Sequence, residues 1–295
     1  MDLETYVTGV VLASIPSSYE YETIKAQAVI ARTYALKNIS IYNQQSSGVA
    51  IIDSLNPKSK WYTAKDLGLP YIDSSTYLES MGTKEYETYL SKVKQAVADT
   101  EDEIITYKKN LITPLYFSTS AGKTRDSGQL WTIPIPYLIS VDSNQDVESA
   151  NYMKISIFTV ASVIQSLQTA YQNKSLVAAD YDYQVYDTLP IDASNFFDSV
   201  TIVKRDSVGY VLTVSLGGVL VSGESFANAL SLNSSYFYID NYEDSVRFIC
   251  NGSGHGLGFS QYGANVLAKT QEYTYIDLLK YYYTNVKIQK ASVLY

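Results

Sequence analysis

The sequence predicts an α+β fold in which several helices pack on mostly antiparallel β-sheet. Two observations lead to this class. Apolar residues recur at helical spacing over long stretches, most clearly at 2–13 and 86–100. Elsewhere, short runs of alternating apolar residues are separated by turn residues, as expected for hairpins at 103–113 and 210–221. Long helices interleaved with hairpins are typical of α+β proteins.

The first helix is predicted at 2–13, where one apolar stripe consists of Leu3, Tyr6, Val7, Val10 and Val11. Their spacing of i, i+3, i+4, i+7 and i+8 defines a single helix face. Ser14 falls at i+11 and continues this stripe. We therefore expect this polar residue at the edge of a cleft.

A second helix is predicted over 14–36. Pro16 interrupts the chain, and Ser17 with Glu20 has the spacing of a capping box. Small or apolar residues then recur at helical intervals, namely Ile24, Ala28, Ala31 and Ala35. This pattern favours a core helix, because small side chains let other segments approach closely.

The stretch 39–84 is less informative. It holds a predicted polar loop at 43–48, and Trp61 with Tyr62 fits either a sugar-stacking platform or structural aromatic residues under a long loop. The later predicted helices are at 86–100, 160–171, 260–269 and 275–282, with a short helix ending at 232. The later predicted strands are the hairpins at 103–113 and 210–221 and single strands at 236–239, 246–250 and 286–288.

Composition excludes several kinds of partner and site. The net charge of -8 and the pI near 4.7 argue against nucleic acid and anionic lipid as main partners, but do not oppose a neutral sugar chain. A single Cys excludes an internal disulfide, and a single His leaves too few ligands for a His/Cys zinc site, so no metal or other cofactor is expected. No apolar run reaches the length of a membrane span, and an N-terminal anchor outside this chain stays an open alternative.

Two loops rich in small residues are candidate binding sites. Residues 118–122 follow a short predicted strand, and their hydroxyls and glycine allow close approach to sugar hydroxyls, although an ordinary Ser/Thr turn is an equal alternative. Residues 252–258 place four glycines around His255, which can donate or accept a hydrogen bond near pH 7. The absence of a Gly-Lys-Ser/Thr ending excludes a phosphate-binding loop.

Three segments in a fixed order resemble the signatures of one known family. They are Pro16 with 25–29 and 31–35, then 115–124 with Trp131 and 136–138, and finally 252–265. These segments resemble the signatures of the stage II sporulation protein D (SpoIID) family, which includes the amidase enhancers. The resemblance implies an α+β fold and a single SpoIID-like domain over 1–295, with insertions near 40–84 and 145–200.

The resemblance also implies a function. It implies action on the glycan strands of peptidoglycan, a cell-wall amidase as a further partner, and an extracytoplasmic location. Enzymes of the family resemble retaining glycosidases in needing a proton donor, but they are lytic transglycosylases, which break the MurNAc–GlcNAc bond and leave a 1,6-anhydroMurNAc end. The zinc of some relatives is not expected here, because the Cys and His residues are missing.

Three positions depart from the family pattern, and one of them is Phe259, which replaces the family's Met. The Glu proposed as the family's catalytic acid corresponds to Ser14, and a hydroxyl is a poor general acid near neutral pH. Arg125 stands where the family commonly has an acidic residue, which leaves Asp126 as the only carboxylate of that loop. We therefore expect cleavage to be lost or weak.

The predicted site is a cleft that binds glycan. Its members are Ser14, Gln27, Arg32, Ser118, Thr119, Ser120, Gly122, His255, Gly256, Ser260, Gln261 and Tyr262. Ser14 and His255 are the candidate catalytic positions. His255 and Gln261 are expected to hydrogen-bond sugar hydroxyls or N-acetyl groups, and one or more Tyr side chains to stack on a sugar ring.

Three functions stay open. A glycan-binding member is favoured, because a single engineered change would not explain both Ser14 and Arg125. An active lytic transglycosylase would take its proton from His255, Glu20 or Asp126, or would carry Ser14 as an engineered substitution. A non-enzymatic structural or interaction protein would use its Tyr-rich surfaces for partner contacts, and His255 would only brace the glycine-rich loop.

Overall fold

A computed structural model describes residues 2–47, 69–72, 82–177 and 187–293, so Trp61 and Tyr62 lie outside the described residues. The helices are α1 (Leu3–Ser14), α2 (Tyr21–Ser47), α3 (Thr83–Asp99), α4 (Val160–Gln172), α5 (Phe196–Ser199), α6 (Gly223–Ala229), α7 (Gln261–Gln271) and α8 (Tyr275–Tyr282). In the parts of the chain that are described, no helix has both the length and the hydropathy needed to cross a lipid bilayer.

The strands are β1 (Glu103–Tyr107), β2 (Asn110–Leu111), β3 (Tyr116–Phe117), β4 (Met153–Thr159), β5 (Val200–Arg205), β6 (Val211–Leu216), β7 (Val219–Ser222), β8 (Phe237–Tyr242), β9 (Ser245–Asn251), β10 (Phe259–Ser260) and β11 (Lys287–Lys290). Antiparallel pairing gives sheets of order β11-β1-β2, β4-β9-β8 and β5-β6-β7, whereas β3 and β10 are parallel. The predicted α+β class with mostly antiparallel sheet is confirmed.

Packing divides the chain into two compact units. The first unit consists of Met1–Leu115 and Ala264–Tyr295, and the second of Tyr116–Gly263. The expectation of a single domain over 1–295, with insertions near 40–84 and 145–200, stays a prediction.

The first unit is built around α1, α2 and α3. Its core contains the predicted inward stripes of α1 and α2 together with residues of α3: Tyr6, Val7, Val10, Val11, Ile24, Ala28, Ala31, Ala35, Tyr89 and Val93. The small side chains of α2 permit this close packing. On another face of α2, the Thr33 hydroxyl accepts a hydrogen bond of 2.9 Å from the Ile105 N–H, which fixes β1 against the helix.

The second unit has a core between α4, α6 and the sheets. Helix α4 packs on β4 and β9, and α6 packs on β6 and β7. The buried side chains include Val163, Leu167, Val214, Phe226, Phe237 and Phe248. The rings of Phe226 and Phe237 stack with centroids 5.2 Å apart, so aromatic packing contributes strongly to this core.

Two local predictions require correction, and two strands were not predicted. Helix α2 begins at Tyr21, without a Ser17–Glu20 capping box, because the Glu20 N–H donates to the side chain of Asn265 at 2.7 Å. The predicted loop at 43–48 is helical as far as Ser47, which agrees with the good helix propensity of its glutamines. Strand β4 lies in the stretch 145–200, where no strand was predicted, and β5 begins at the end of that stretch.

Candidate functional site

The two loops predicted as binding sites lie side by side in the second unit. Thr119 and Ser253 exchange backbone hydrogen bonds of 3.1 and 2.8 Å, and the Tyr262 N–H donates to the Ser118 carbonyl at 3.0 Å. The strands that lead into and out of this region, β3 and β10, also pair with each other. The loop Ser118–Gly122 and the glycine loop, defined here as 252–258, therefore form one continuous backbone structure.

The glycines of the glycine loop are required by this packing. A Cβ atom on Gly252 would lie 2.8 Å from the Thr119 carbonyl oxygen. A Cβ atom on Gly256 would lie 2.6 Å from the ring of Tyr210, and the φ of Gly256 is +80°. These glycines thus allow close contact between protein segments, a role that the sequence alone could not separate from close approach to a ligand.

Three of the predicted site hydroxyls, in the loop Ser118–Gly122 and in β10, are buried and used within the protein. Thr119, Ser120 and Ser260 are all buried. The Ser260 hydroxyl donates to Asp146 at 2.7 Å, and the Ser120 hydroxyl accepts from the Gly122 N–H at 3.0 Å. Ser118 is only half-buried, so it is the hydroxyl of its loop with the best access to solvent.

Asp146 is a buried residue next to the candidate binding loops that was not predicted as part of the site. Its carboxylate is buried and also accepts a hydrogen bond from the Ser143 hydroxyl. Burial raises the pKa of this carboxyl above its usual range, and the hydrogen bonds from Ser143 and Ser260 oppose that shift. The only local signal was the Ser143-x-x-Asp146 spacing, which is typical of a helix start and matches the short 3₁₀ helix Asn144–Glu148.

His255 is half-buried in the glycine loop. Its Nδ1 accepts a hydrogen bond of 3.1 Å from the Leu257 N–H, and its ring lies 5.6 Å from that of Phe117. Burial is the main cause that lowers the pKa of His255, and the nearby charge of Glu224 acts in the opposite direction. The imidazole is therefore neutral at pH 7, and hydrogen bonding rather than charge is its available chemistry.

Arg125, which stands where the family commonly has an acidic residue, makes several contacts of its own. Its guanidinium is buried and pairs with Asp206 at 2.7 Å and with Glu224 at 2.6 Å. The Arg125 backbone N–H donates to the Gly256 carbonyl at 2.7 Å. The residue thus connects the loop after β3 with the glycine loop.

Gln261 and Tyr262 begin α7 at the edge of these loops. Gln261 is buried, whereas Tyr262 is half-buried, so the Tyr262 side chain is the accessible aromatic group of the predicted set. Burial raises the pKa of the Tyr262 phenol, which stays protonated at neutral pH and can donate a hydrogen bond.

The predicted site residues of the first unit have different environments. Ser14 is half-buried at the last position of α1, in agreement with its predicted place at the end of the apolar stripe. Gln27 is buried in α2. Arg32 is also buried, and its Nε and Nη2 donate to the two carboxylate oxygens of Glu4 at 2.8 and 2.7 Å. This bidentate pair gives Arg32 a structural role.

The structure thus brings together the second-unit members of the predicted set. Ser118, Thr119, Ser120, Gly122, His255, Gly256, Ser260, Gln261 and Tyr262 lie in adjoining loops and at the start of α7. The cleft that would combine them with Ser14, Gln27 and Arg32 stays a prediction. Among the described residues, no group of three or more His, Cys, Asp and Glu side chains is arranged to hold a metal ion.

Comparisons with known proteins identify the family. Residues 1–107 match the family model described as SpoIID, Stage II sporulation protein. Stage II sporulation protein D of Bacillus subtilis (strain 168) is 32% identical over 291 residues, which cover 98% of this chain and 75% of that protein. The protein of the same name from Bacillus amyloliquefaciens is 29% identical over the same shares. The chain therefore belongs to the SpoIID family.

A more distant relative connects the chain with a second group of proteins. The Amidase enhancer of Bacillus subtilis (strain 168) is 22% identical over 307 aligned residues, which cover 93% of this chain and 39% of that protein. The resemblance to SpoIID proteins and amidase enhancers, predicted from three short segments, is confirmed. Family membership supports a role related to sporulation or the cell wall.

Proposed function

We propose that this chain binds the glycan strands of peptidoglycan in sporulation or cell-wall remodelling, and that it cleaves them weakly or not at all. The observation that carries the proposal is Ser14. It stands at the last position of α1, half-buried, where family enzymes have their proposed acid. Loss of a general acid reduces a rate by about 10² to 10⁴.

The two loops of the second unit support binding. Their backbones are fixed by mutual hydrogen bonds, and their glycines are packed against neighbouring side chains. A rigid surface binds a ligand with a smaller entropic cost than a loop that must first become ordered. The half-buried side chains of Ser118, His255 and Tyr262 offer hydrogen-bonding groups and one aromatic face, which suits an uncharged sugar.

Two of the alternative acids, His255 and Asp126, and the buried Asp146 have environments that do not favour general acid catalysis. The pKa of His255 is lowered by burial, so at pH 7 its imidazole is neutral and not a cationic acid. Asp126 caps a short 3₁₀ helix by accepting from the Gly128 N–H at 2.7 Å. Asp146 has a raised pKa, but its buried side chain has no surface for contact with a substrate. These observations favour a binding role over an active lytic transglycosylase.

The proposal extends to partner and location. One relative is named Amidase enhancer, and a cell-wall amidase is the partner that this name suggests. Glycan binding by this chain would bring such an amidase to its substrate. The same substrate requires an extracytoplasmic location.

Binding of peptide-stripped glycan strands and of chitin-type oligosaccharides tests this function. We expect Tyr262→Ala and His255→Ala to weaken binding by about tenfold, as for the loss of one good contact. Tyr238→Ala is the matched control, because Tyr238 is an exposed Tyr of β8 in the same unit and should be neutral. A chain that binds no strands, or equal losses with Tyr238→Ala, would overturn the proposal and favour a protein-interaction role.

A further inference from the structure

The Arg125 side chain contacts several elements of the second unit. Its Nε donates to Asp206 Oδ2 at 2.7 Å, and its Nη1 donates to Glu224 Oε1 at 2.6 Å. Its guanidinium lies over the ring of Tyr210, 4.6 Å from the centroid. Asp206 follows β5 and Glu224 lies in α6, so one residue joins two elements of the second unit.

The same residue also holds the backbone of the glycine loop. The Arg125 N–H donates to the Gly256 carbonyl at 2.7 Å, and Nη1 donates to the His255 carbonyl at 3.2 Å. A Cβ atom on Gly256 would lie 2.9 Å from Arg125 Cδ, which shows how closely the two chains approach. Consecutive carbonyls of the loop are therefore fixed by backbone and side-chain groups of a single residue.

The chemistry of this cluster requires a guanidinium. Its planar fork directs several N–H groups at separate acceptors, whereas the ammonium of a Lys is a point charge on a flexible chain. The cluster holds one positive and two negative side chains, and Asp206 is buried. The charge of Glu224 reaches His255 and raises its pKa, while that of Arg125 lowers it.

We propose that Arg125 is the positioning residue of the glycine loop, fixing the backbone that presents His255 to glycan. The inference rests on the proposed function, because it treats His255 as part of the glycan-binding surface. It also gives a structural reason for the departure from the family pattern at Arg125. The basic residue supplies a support for the loop, rather than marking only the loss of an acid.

The test uses the single His of the chain as a reporter, since its imidazole gives one set of NMR signals. The proteins compared are the unaltered chain, Arg125→Met, Arg125→Lys and Glu224→Gln. Arg247→Met is the control, because Arg247 also pairs with an Asp (Asp240) and lies over a Tyr ring, but in the sheet of β8 and β9. Each protein is measured for the pKa of His255, affinity for chitin-type oligosaccharides and thermal stability.

Arg125→Met should raise the pKa of His255, because it removes the positive charge that lowers this pKa. Glu224→Gln should lower the pKa of His255, because it removes the negative charge that raises it. Arg125→Lys should keep the pKa low yet weaken glycan affinity by about tenfold or more, as expected when hydrogen bonds to a charged group are lost. Arg247→Met should change neither property. Together, these results would distinguish a positioning role of Arg125 from a purely electrostatic or purely stabilising role.

Wild-type affinity in folded Arg125→Lys, or an unchanged His255 pKa in both Arg125→Met and Glu224→Gln, would overturn the proposal. If Arg125→Met does not fold, Arg125→Lys and Glu224→Gln decide the question. If the unaltered chain binds no glycan, the proposed function fails on its own. Hydrogen exchange of the 252–258 amides then tests positioning, and faster exchange in Arg125→Lys but not in Arg247→Met supports it.

Discussion

The Ser260 hydroxyl donates to the Asp146 carboxylate at 2.7 Å, and this bond joins the end of the third family segment to a stretch without any recognised signature. Both side chains are buried. The contact shows that the candidate binding loops depend on a polar network beneath them. Buried polar groups of this kind are costly when a partner is removed.

Asp146→Ala should therefore destabilise the protein by about 1–3 kcal/mol, because it leaves two buried hydroxyls without their acceptor. Asp146→Asn should cost less, since the amide can still bond to both serines. Urea denaturation measures both changes. If Asp146→Ala is as stable as the unaltered chain, the Asp146 carboxylate is not a required acceptor for these hydroxyls.

The raised pKa of Asp146 has a further consequence for pH. Its folded pKa lies above the ordinary value of 3.8, so the stabilisation linked to its protonation is present below pH 3.8 and is lost as pH rises through the folded pKa. The Asp146→Asn variant has no carboxyl group at this position, so this loss of stability with rising pH does not occur in it. The stability advantage of the unaltered chain over Asp146→Asn should thus shrink as pH rises from about 4, and a constant difference would contradict the assignment.

His255 should show the opposite dependence. Its pKa is lowered from 6.5, so the unfolded chain binds more protons just below that pH, and stability falls as pH drops through this window. We expect an NMR titration midpoint below 6.5. His255→Gln should lose less stability than the unaltered chain between pH 7.5 and pH 5.5, and equal losses would argue against a neutral imidazole with a lowered pKa.

Gly256→Ala should disrupt the glycine loop. The new methyl group would meet Tyr210 at 2.6 Å, and the φ of +80° is unfavourable for Ala. Gly218→Ala is the matched control, because Gly218 has a φ of +96° but no neighbouring atom within 4 Å. Backbone conformation alone costs about 1–2 kcal/mol, and overpacking adds about 1–3 kcal/mol at Gly256 only. Equal losses in unfolding free energy would mean that the close packing is not required.

The sequence predicted most helices and hairpins within a few residues, because apolar periodicity and the Gly217–Gly218 turn are local signals. It failed where tertiary contacts decide. The capping box at Ser17 was not formed, since Glu20 is bonded to Asn265, which is distant in the sequence. The two loops of the second unit could be predicted as site segments, but the burial of Ser120 and Ser260 depends on Asp146 and could not.

Arg32 illustrates the same limit. Its place in a family segment predicts a binding role, which stays a prediction, while the bidentate pair with Glu4 could not be predicted from the sequence. Arg32→Met should cost about 1–3 kcal/mol in unfolding free energy, because the Val97 carbonyl and the Glu4 carboxylate lose their donor, while Glu4 keeps partial contact with solvent. Lys25→Met, which removes the more exposed Lys25–Glu22 pair of the same helix, should cost less than about 1 kcal/mol. Similar costs for the two changes would contradict the structural role.

The central proposal is that the chain binds glycan strands but lacks the family's proton donor, because Ser14 stands at the position of that acid. The most direct measurement is digestion of peptide-stripped glycan strands, followed by mass spectrometry for 1,6-anhydroMurNAc ends, with the unaltered chain, Ser14→Glu and the control Ser14→Gln. We predict that Ser14→Glu releases these ends at least about 10²-fold faster than the other two proteins. Release by the unaltered chain at the rate of Ser14→Glu would show that another residue supplies the proton and would contradict the account.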